Sequence, residues 1–225
     1  IKGDKMVIGQ WTYKLAGNIQ IAIDGYKIIE KHFSNHGAIG SALVSSHGTD
    51  TGTFSTMIGY ENYEQFGLID DKISRDENFN KEMNPYFELT SWEKMNFAEP
   101  MMHKMDPDPG VKNCFAAWTF HHKNIDMIMK KSEIFFKLWM DAGANGCSVG
   151  RYNGHDSGYY SFAVRFQSMT DYGKAQDKLN SENVWADHTD FTDDVTWKSF
   201  NLVRVIETLS LIHISEPTRL LSIAD

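Results

Sequence analysis

At 225 residues the chain is long enough for one large domain or two small ones, and 41% hydrophobic with 23% charged residues is an ordinary globular composition. A net charge of −8 with no Lys/Arg cluster argues against nucleic acid or an anionic membrane surface as partner, since either needs a basic footprint. No apolar run approaches the roughly 18 residues of a membrane span, and Cys114 and Cys147 are too few for a disulfide framework, so buried thiols and a cytoplasmic setting are expected. The chain opens on Ile1 rather than Met, which leaves room for a leader ahead of it.

In chain order, Met6–Lys14 (MVIGQWTYK) is rich in apolar and aromatic residues and predicts a strand. NIQIAIDGYKIIEKHFSN follows as a helix, with Asn18 as N-cap and Gly37 where a C-terminal glycine belongs. A strand from about Ser41, the phrase GTDTGTFS (Gly48–Ser55) and the alternating strand TFSTMIGY come next. A second helix is expected from about Asn62 and a last strand from Trp92. EPMMHKMDPDPG then reads as a connection, its methionines and His103 resembling soft-metal ligands only faintly.

The same order then recurs. CFAAWTFHH predicts a strand, and NIDMIMKKSEIFFKLWMD a helix capped by Asn124 and Gly143, with Ile125, Ile128, Met129, Phe135, Phe136 and Trp139 on a buried face. A strand from Cys147, the phrase GHDSGYYS (Gly154–Ser161), the strand YYSFAVRF, a helix from about Ser168 and a strand from Trp197 complete it. WADHTDFTDD, holding His188 among four aspartates, reads as an exposed acidic loop without a metal-ligand spacing. An offset of 106 residues lays Gly37–Ile73 over Gly143–Leu179 without a gap. Ten of those 37 pairs are identical, among them Gly48/Gly154, Asp50/Asp156, Gly52/Gly158 and Ser55/Ser161, where unrelated segments would match at about two. The expected fold class is therefore α+β: two ferredoxin-like βαββαβ repeats in one chain, forming a pseudo-twofold α/β barrel. Residues 4–100 are the first repeat, 101–112 a linker, 113–207 the second repeat and 208–225 a tail of non-native origin.

The repeated phrase falls between the second and third strands of each repeat. Its glycines suit positive φ and its aspartates can hold nearby backbone N–H groups, so it reads as a hairpin rather than a catalytic loop. On the strands that follow, Phe54, Thr56, Ile58 and Tyr60, or Tyr160, Phe162, Val164 and Phe166, share the face expected to meet helices. Ser55, Met57 and Gly59, or Ser161, Ala163 and Arg165, share the other, small and mixed-polar face. Strands covered on both sides fit sheets closing on each other beneath helices.

From about Lys5 to Glu207 this duplicated order resembles the dimeric α/β-barrel group, which includes antibiotic-biosynthesis-type monooxygenases, stress-responsive barrels and the NIPSNAP-like and EthD-like families. FQSMTDYGKAQDKLNSENVW (Phe166–Trp185) is similar to their strand–helix passage, and no catalytic motif of theirs is matched. The resemblance implies a small organic molecule in the barrel lumen, self-association in some members, and activities that span cofactor-independent oxygenation, isomerisation and haem degradation. A non-catalytic stress-associated or binding barrel is the alternative, and a haem-binding barrel the third. Near the end, Leu209–Arg219 (LSLIHISEPTR) resembles a translated sequencing adapter, so natural sequence is expected to stop near Thr208.

Candidate ligand-binding residues are Arg165, Ser161, Ser55, Trp118 and Trp11. Arg165 needs an anion or counter-charge if it faces the lumen and none if it reaches solvent, while the tryptophans suit cavity wall or helix-facing core alike. His121 and His122 end a strand and point to opposite sides, so one of them could move a proton at the barrel mouth, or both could form a surface pair. No bound metal or other cofactor is expected apart from the haem alternative. Phosphate-binding glycine loops, Cys-x-x-Cys, Gly-x-Ser-x-Gly and His-Glu-x-x-His are all missing from the sequence.

Overall fold

The computed structural model describes residues 6–105 and 114–209. The first half runs β1 (Val7–Leu15), α1 (Ile19–Asn35), β2 (Gly40–Gly48), β3 (Phe54–Tyr60), α2 (Tyr63–Ile73), α3 (Glu77–Phe87) and β4 (Thr90–Met105). The second runs β5 (Cys114–His121), α4 (Ile125–Asp141), β6 (Gly146–Gly154), β7 (Tyr160–Phe166), α5 (Met169–Ser181), a 3₁₀ turn (Val184–His188), α6 (Thr189–Thr192) and β8 (Thr196–Leu209). All eight strands pair antiparallel in one closed barrel, in the order β1-β3-β2-β8-β5-β7-β6-β4.

The caps lie where the sequence predicts them. Asn18 accepts from the backbone N–H of Gln20 and Ile21, and Asn124 from that of Met127. Gly37 and Gly143 follow α1 and α4 with φ of +100° and +110°. Three elements differ from expectation. Residues 77–87 form the unpredicted helix α3, capped by Asp76 and anchored by Phe79 and Met83 one turn apart. The acidic segment expected as a loop folds as the 3₁₀ turn and α6, anchored by buried Phe191. Met101–Met105, expected in the linker, continue β4. That strand must reach two neighbours to close the barrel, pairing with β1 through Thr90–Ala98 and with β6 through Asn96–Met105. Pro100 stands at the register shift, where a missing N–H does least harm to the ladder. Pro107–Gly110 of the linker lie outside the described residues. So does the adapter-like segment apart from Leu209, the last residue of β8, where Thr208 still pairs with Ala42.

Side chains alternate across the barrel wall. The outward face of the first half packs Ile58, Tyr60 and Leu43 against Phe33, Ile69, Phe79 and Tyr26. The second packs Phe162, Val164, Phe166 and Val149 against Ile128, Phe136, Trp139 and Leu179. Cys114 and Cys147 are buried and unbridged, and burial pushes the Cys147 thiol up to about 12.

The recurring phrase joins the halves. Each hairpin lies on the last strand of the opposite half: β2–β3 on β8, and β6–β7 on β4. The Asp50 N–H donates to Asn201 Oδ1 (2.8 Å) and Asn201 Nδ2 donates to Asp50 Oδ2 (2.9 Å). Reciprocally, the Asp156 N–H donates to Asn96 Oδ1 (2.8 Å) and Asn96 Nδ2 to Asp156 Oδ2 (2.6 Å). Lys94 Nζ lies 3.1 Å from Asp50 and 3.9 Å from Asp156, while Lys198 bonds Asp156, so the four charges alternate across one mouth of the barrel. Glycine is required where the hairpins touch the other half. A Cβ on Gly48 (φ +130°) would meet Phe200 O at 2.4 Å, and one on Gly154 (φ +106°) would meet Met95 O at 2.7 Å.

Candidate functional site

On α4 the residues Ile128, Ser132, Phe135 and Trp139 follow the helical repeat and share the stripe that faces the sheet. Three of the four are large. Ser132 is buried but small, and above it opens a cavity of ≈ 290 Å³ between α4, the outer faces of β5, β7 and β8, and the cover formed by the 3₁₀ turn and α6. Four of the chain's six tryptophans and four phenylalanines line it, with Ser132, Gln176 and Thr192 as the polar members. Trp118 stands at the sheet side, 5.6 Å from Trp139 and 5.2 Å from Phe200 between ring centroids. Trp197, half exposed, marks an opening to solvent. No lining residue carries a formal charge, so the wall selects by shape and aromatic contact.

The cover is pinned from below. Lys131, only 7% exposed, donates to Asp190 Oδ1 on α6 at 2.6 Å, and that bond holds the Asp190 carboxyl below the usual range. Trp185, Phe191 and Thr192 supply the cover's share of the lining. Phe191 also meets Phe120, Phe135 and His122.

The lumen has a different character. Ser55 bonds Thr12 at 2.9 Å and Gln10 at 3.4 Å across the β1–β3 pair. Ser161 bonds the Tyr152 phenol, which burial pushes up to about 12. Arg165 is buried with its guanidinium 5.9 Å over the Phe115 ring, and burial lowers its pKa. Ser55, Ser161 and Arg165 thus share the inner face, as alternation predicts, and both serines are bonded to protein.

Trp11 faces the helices, edge-on to Phe33 at 6.4 Å. Trp118 faces the same way in the other half but lines the cavity. His121 and His122 diverge as expected. His121 lies edge-on to Tyr159 beside the Lys–Asp mouth, while His122 is buried and stacked on Phe191 at 5.2 Å. His188, expected in open loop, is edge-on to Phe135 at 5.4 Å with its Nδ1 buried. Sequence reasoning missed Ser132, Gln176, Trp185, Phe191 and Thr192 as a group. The available signal was Ser132 itself, a hydroxyl within an otherwise apolar helix stripe. No group of three or more His, Cys, Asp or Glu side chains suited to a metal occurs among the described residues, and no helix among them is long and apolar enough to cross a membrane.

No protein-family model and no curated protein matches the chain. Solved structures do. A monooxygenase-like protein of Fusobacterium nucleatum superposes with a TM-score of 0.60 at 11% identity, covering 91% of this chain and 94% of that one. A chlorite dismutase-like protein gives 0.57 at 11% identity (91% and 96%), and a haem-binding protein of Thermus thermophilus 0.53 at 7% identity (90% and 92%). This chain has their α+β barrel fold. At such identities the likeness extends to the architecture, and chemistry has to be read from this chain's own side chains.

Proposed function

We propose that the protein binds a small, flat, largely apolar organic molecule in the aromatic cavity of its second half, outside the barrel lumen. The observation that carries this reading is the gathering of eight aromatic side chains, with three neutral polar groups, around one ≈ 290 Å³ space that opens at Trp197. Its size is at the small end of the usual range for ligand sites, and its composition of apolar wall with few polar groups is typical of them. The inner-face residues Ser55 and Ser161 are engaged with Thr12, Gln10 and Tyr152, which favours the outer cavity over the lumen.

The inferred duplication supports an asymmetric role. At the 106-residue offset Ser132 stands where the first half has Tyr26. Tyr26 is buried, bonds Ser41 Oγ at 2.8 Å and packs with Tyr13, Leu43 and Ala22. We read Tyr26 as the plug that fills the first half and Ser132 as its removal in the second.

Haem, which one of the neighbouring structures is described as binding, does not fit this lining. Its iron needs an axial His, Cys, Met or Tyr, and the lining residues are Trp, Phe, Ser, Gln and Thr alone. Oxygenation or isomerisation would need a proton carrier near the ligand. Of the two histidines expected in that role, His122 adjoins the cavity through Phe191 and His121 does not.

Calorimetric titration with naphthalene-sized aromatics tests the reading. The wild-type protein is expected to bind with Kd on the order of 10–100 µM, and Ser132→Tyr to weaken binding at least tenfold while keeping the thermal midpoint. Equal binding by Ser132→Tyr would remove the cavity as the site. Added hemin is expected to keep the Soret band of free haem, and a shifted band would restore the haem reading.

A further inference from the structure

We infer that the Ser132 hydroxyl is the polar anchor of the cavity, and that its ligand is a neutral aromatic alcohol of the naphthol class. This rests on the cavity being the binding site. Ser132 is 3% exposed and lines the space together with Phe135 and Trp139 of the same helix stripe. A serine side chain is one carbon and one hydroxyl, so the polar surface it gives the cavity is that hydroxyl. Among the described residues the hydroxyl has no hydrogen-bond partner. The other two polar members of the lining are engaged with protein. Gln176 Nε2 donates to Asn180 Oδ1 at 2.9 Å and its Oε1 accepts from the Tyr172 phenol at 3.5 Å, while Thr192 Oγ1 lies 3.5 Å from Thr189 O. Both are half-buried, so of the three polar groups Ser132 lies deepest.

A small residue alone would open the space that Tyr26 fills in the first half, and alanine suits both a helix and an apolar stripe better than serine does. A buried hydroxyl instead carries a desolvation cost that a hydrogen bond has to offset. A ligand hydroxyl can donate to Ser132 Oγ or accept from it, so it matches the serine in either sense. Charge on the ligand is disfavoured. No lining residue is ionised, and Lys131, next to Ser132 on α4, is committed to Asp190. A phenol, with a pKa of about 10, stays neutral at pH 7 where a carboxylate is ionised.

2-Naphthol and its hydrocarbon counterpart 2-methylnaphthalene test this by calorimetry on wild type and Ser132→Ala, with 2-naphthoate as the charged control. 2-Naphthol is expected to lose about fivefold in affinity on substitution, the size of one neutral hydrogen bond, and 2-methylnaphthalene to bind both proteins alike. The wild type is expected to bind 2-naphthoate at least about tenfold more weakly than 2-naphthol. A misfolded fraction of the variant lowers the number of sites and leaves the ratio of the two neutral probes' affinities untouched, so the readout is that ratio. The same ratio in both proteins would overturn the anchor while leaving the cavity as the site. Equal binding of 2-naphthoate and 2-naphthol would overturn the neutral ligand class. Failure of both neutral probes to bind the wild type would overturn the cavity reading and the anchor with it.

Discussion

Asn96 shows how much one side chain can carry. Its amide serves the backbone N–H and one carboxylate oxygen of Asp156, a residue 3% exposed, and does so from the other half of the chain. Asn96→Ala leaves both groups short of a partner, and a loss of about 3 kcal/mol is expected by denaturant unfolding. Gly154→Ala acts differently, by forcing a Cβ into a positive-φ position 2.7 Å from Met95 O. It is expected to cost about 2 kcal/mol, and a loss below about 0.5 would show that the hairpin can lift from β4 freely. At this scale the sequence was partly legible. The aspartates and glycines of the phrase announce a turn, but their partners Asn96 and Asn201 lie 60 and 151 residues away from Asp156 and Asp50 in the chain. Nothing local in the sequence marks those pairings.

Among the elements, the cover formed by the 3₁₀ turn and α6 is the least self-sufficient. Four residues cannot hold a helix by propensity, so α6 depends on buried Phe191 and on the Lys131–Asp190 pair. Asp190→Ala removes the carboxylate and leaves a nearly buried ammonium. Amide hydrogen exchange over 184–192 is expected to quicken about tenfold, with the exchange of β5 and β7 unchanged. Uniform exchange across the second half would show instead that the cover and sheet open together. The strongly patterned helices α1 and α4 were readable from caps and apolar spacing, whereas α3 and α6 were not. Each of the latter rests on one or two buried anchors, Phe79 with Met83 or Phe191 alone, too few to make a periodic signal.

The whole molecule should answer to pH at both extremes. Burial alone would raise the Asp156 pKa, but bonds from Lys198 and Asn96 and the charge of Lys94 outweigh it and lower the value. Asp76, through its bond from the Phe79 amide, and Asp190, through Lys131, are also lowered. A carboxyl with a depressed folded pKa contributes stability above its unfolded value near 4 and loses it as pH falls through the folded value. Burial raises Tyr60 well above its ordinary range, and its bond to Asp156 raises Lys198. Stability from those groups is present below about pH 10 and lost above it. The thermal midpoint is therefore expected to be level from about pH 5 to 9 and to fall on both sides. An unchanged midpoint at pH 3 would mean that the Lys–Asp mouth contributes nothing to folding.

By itself the sequence determined the order of the main elements, the hairpin nature of the repeated phrase, the two alternating strand faces and the caps of α1 and α4. Each of these depends on residues within a turn or a few strand positions of one another. Only the tertiary structure decided that β4 would run on to close the barrel, that the two hairpins would clasp the opposite half, and that a cavity would open above Ser132. Those outcomes depend on which distant surfaces meet and on the space left between them: Ser132 marks a gap in its own helix stripe, but only the packing of the sheet and the cover decides whether that gap stays open.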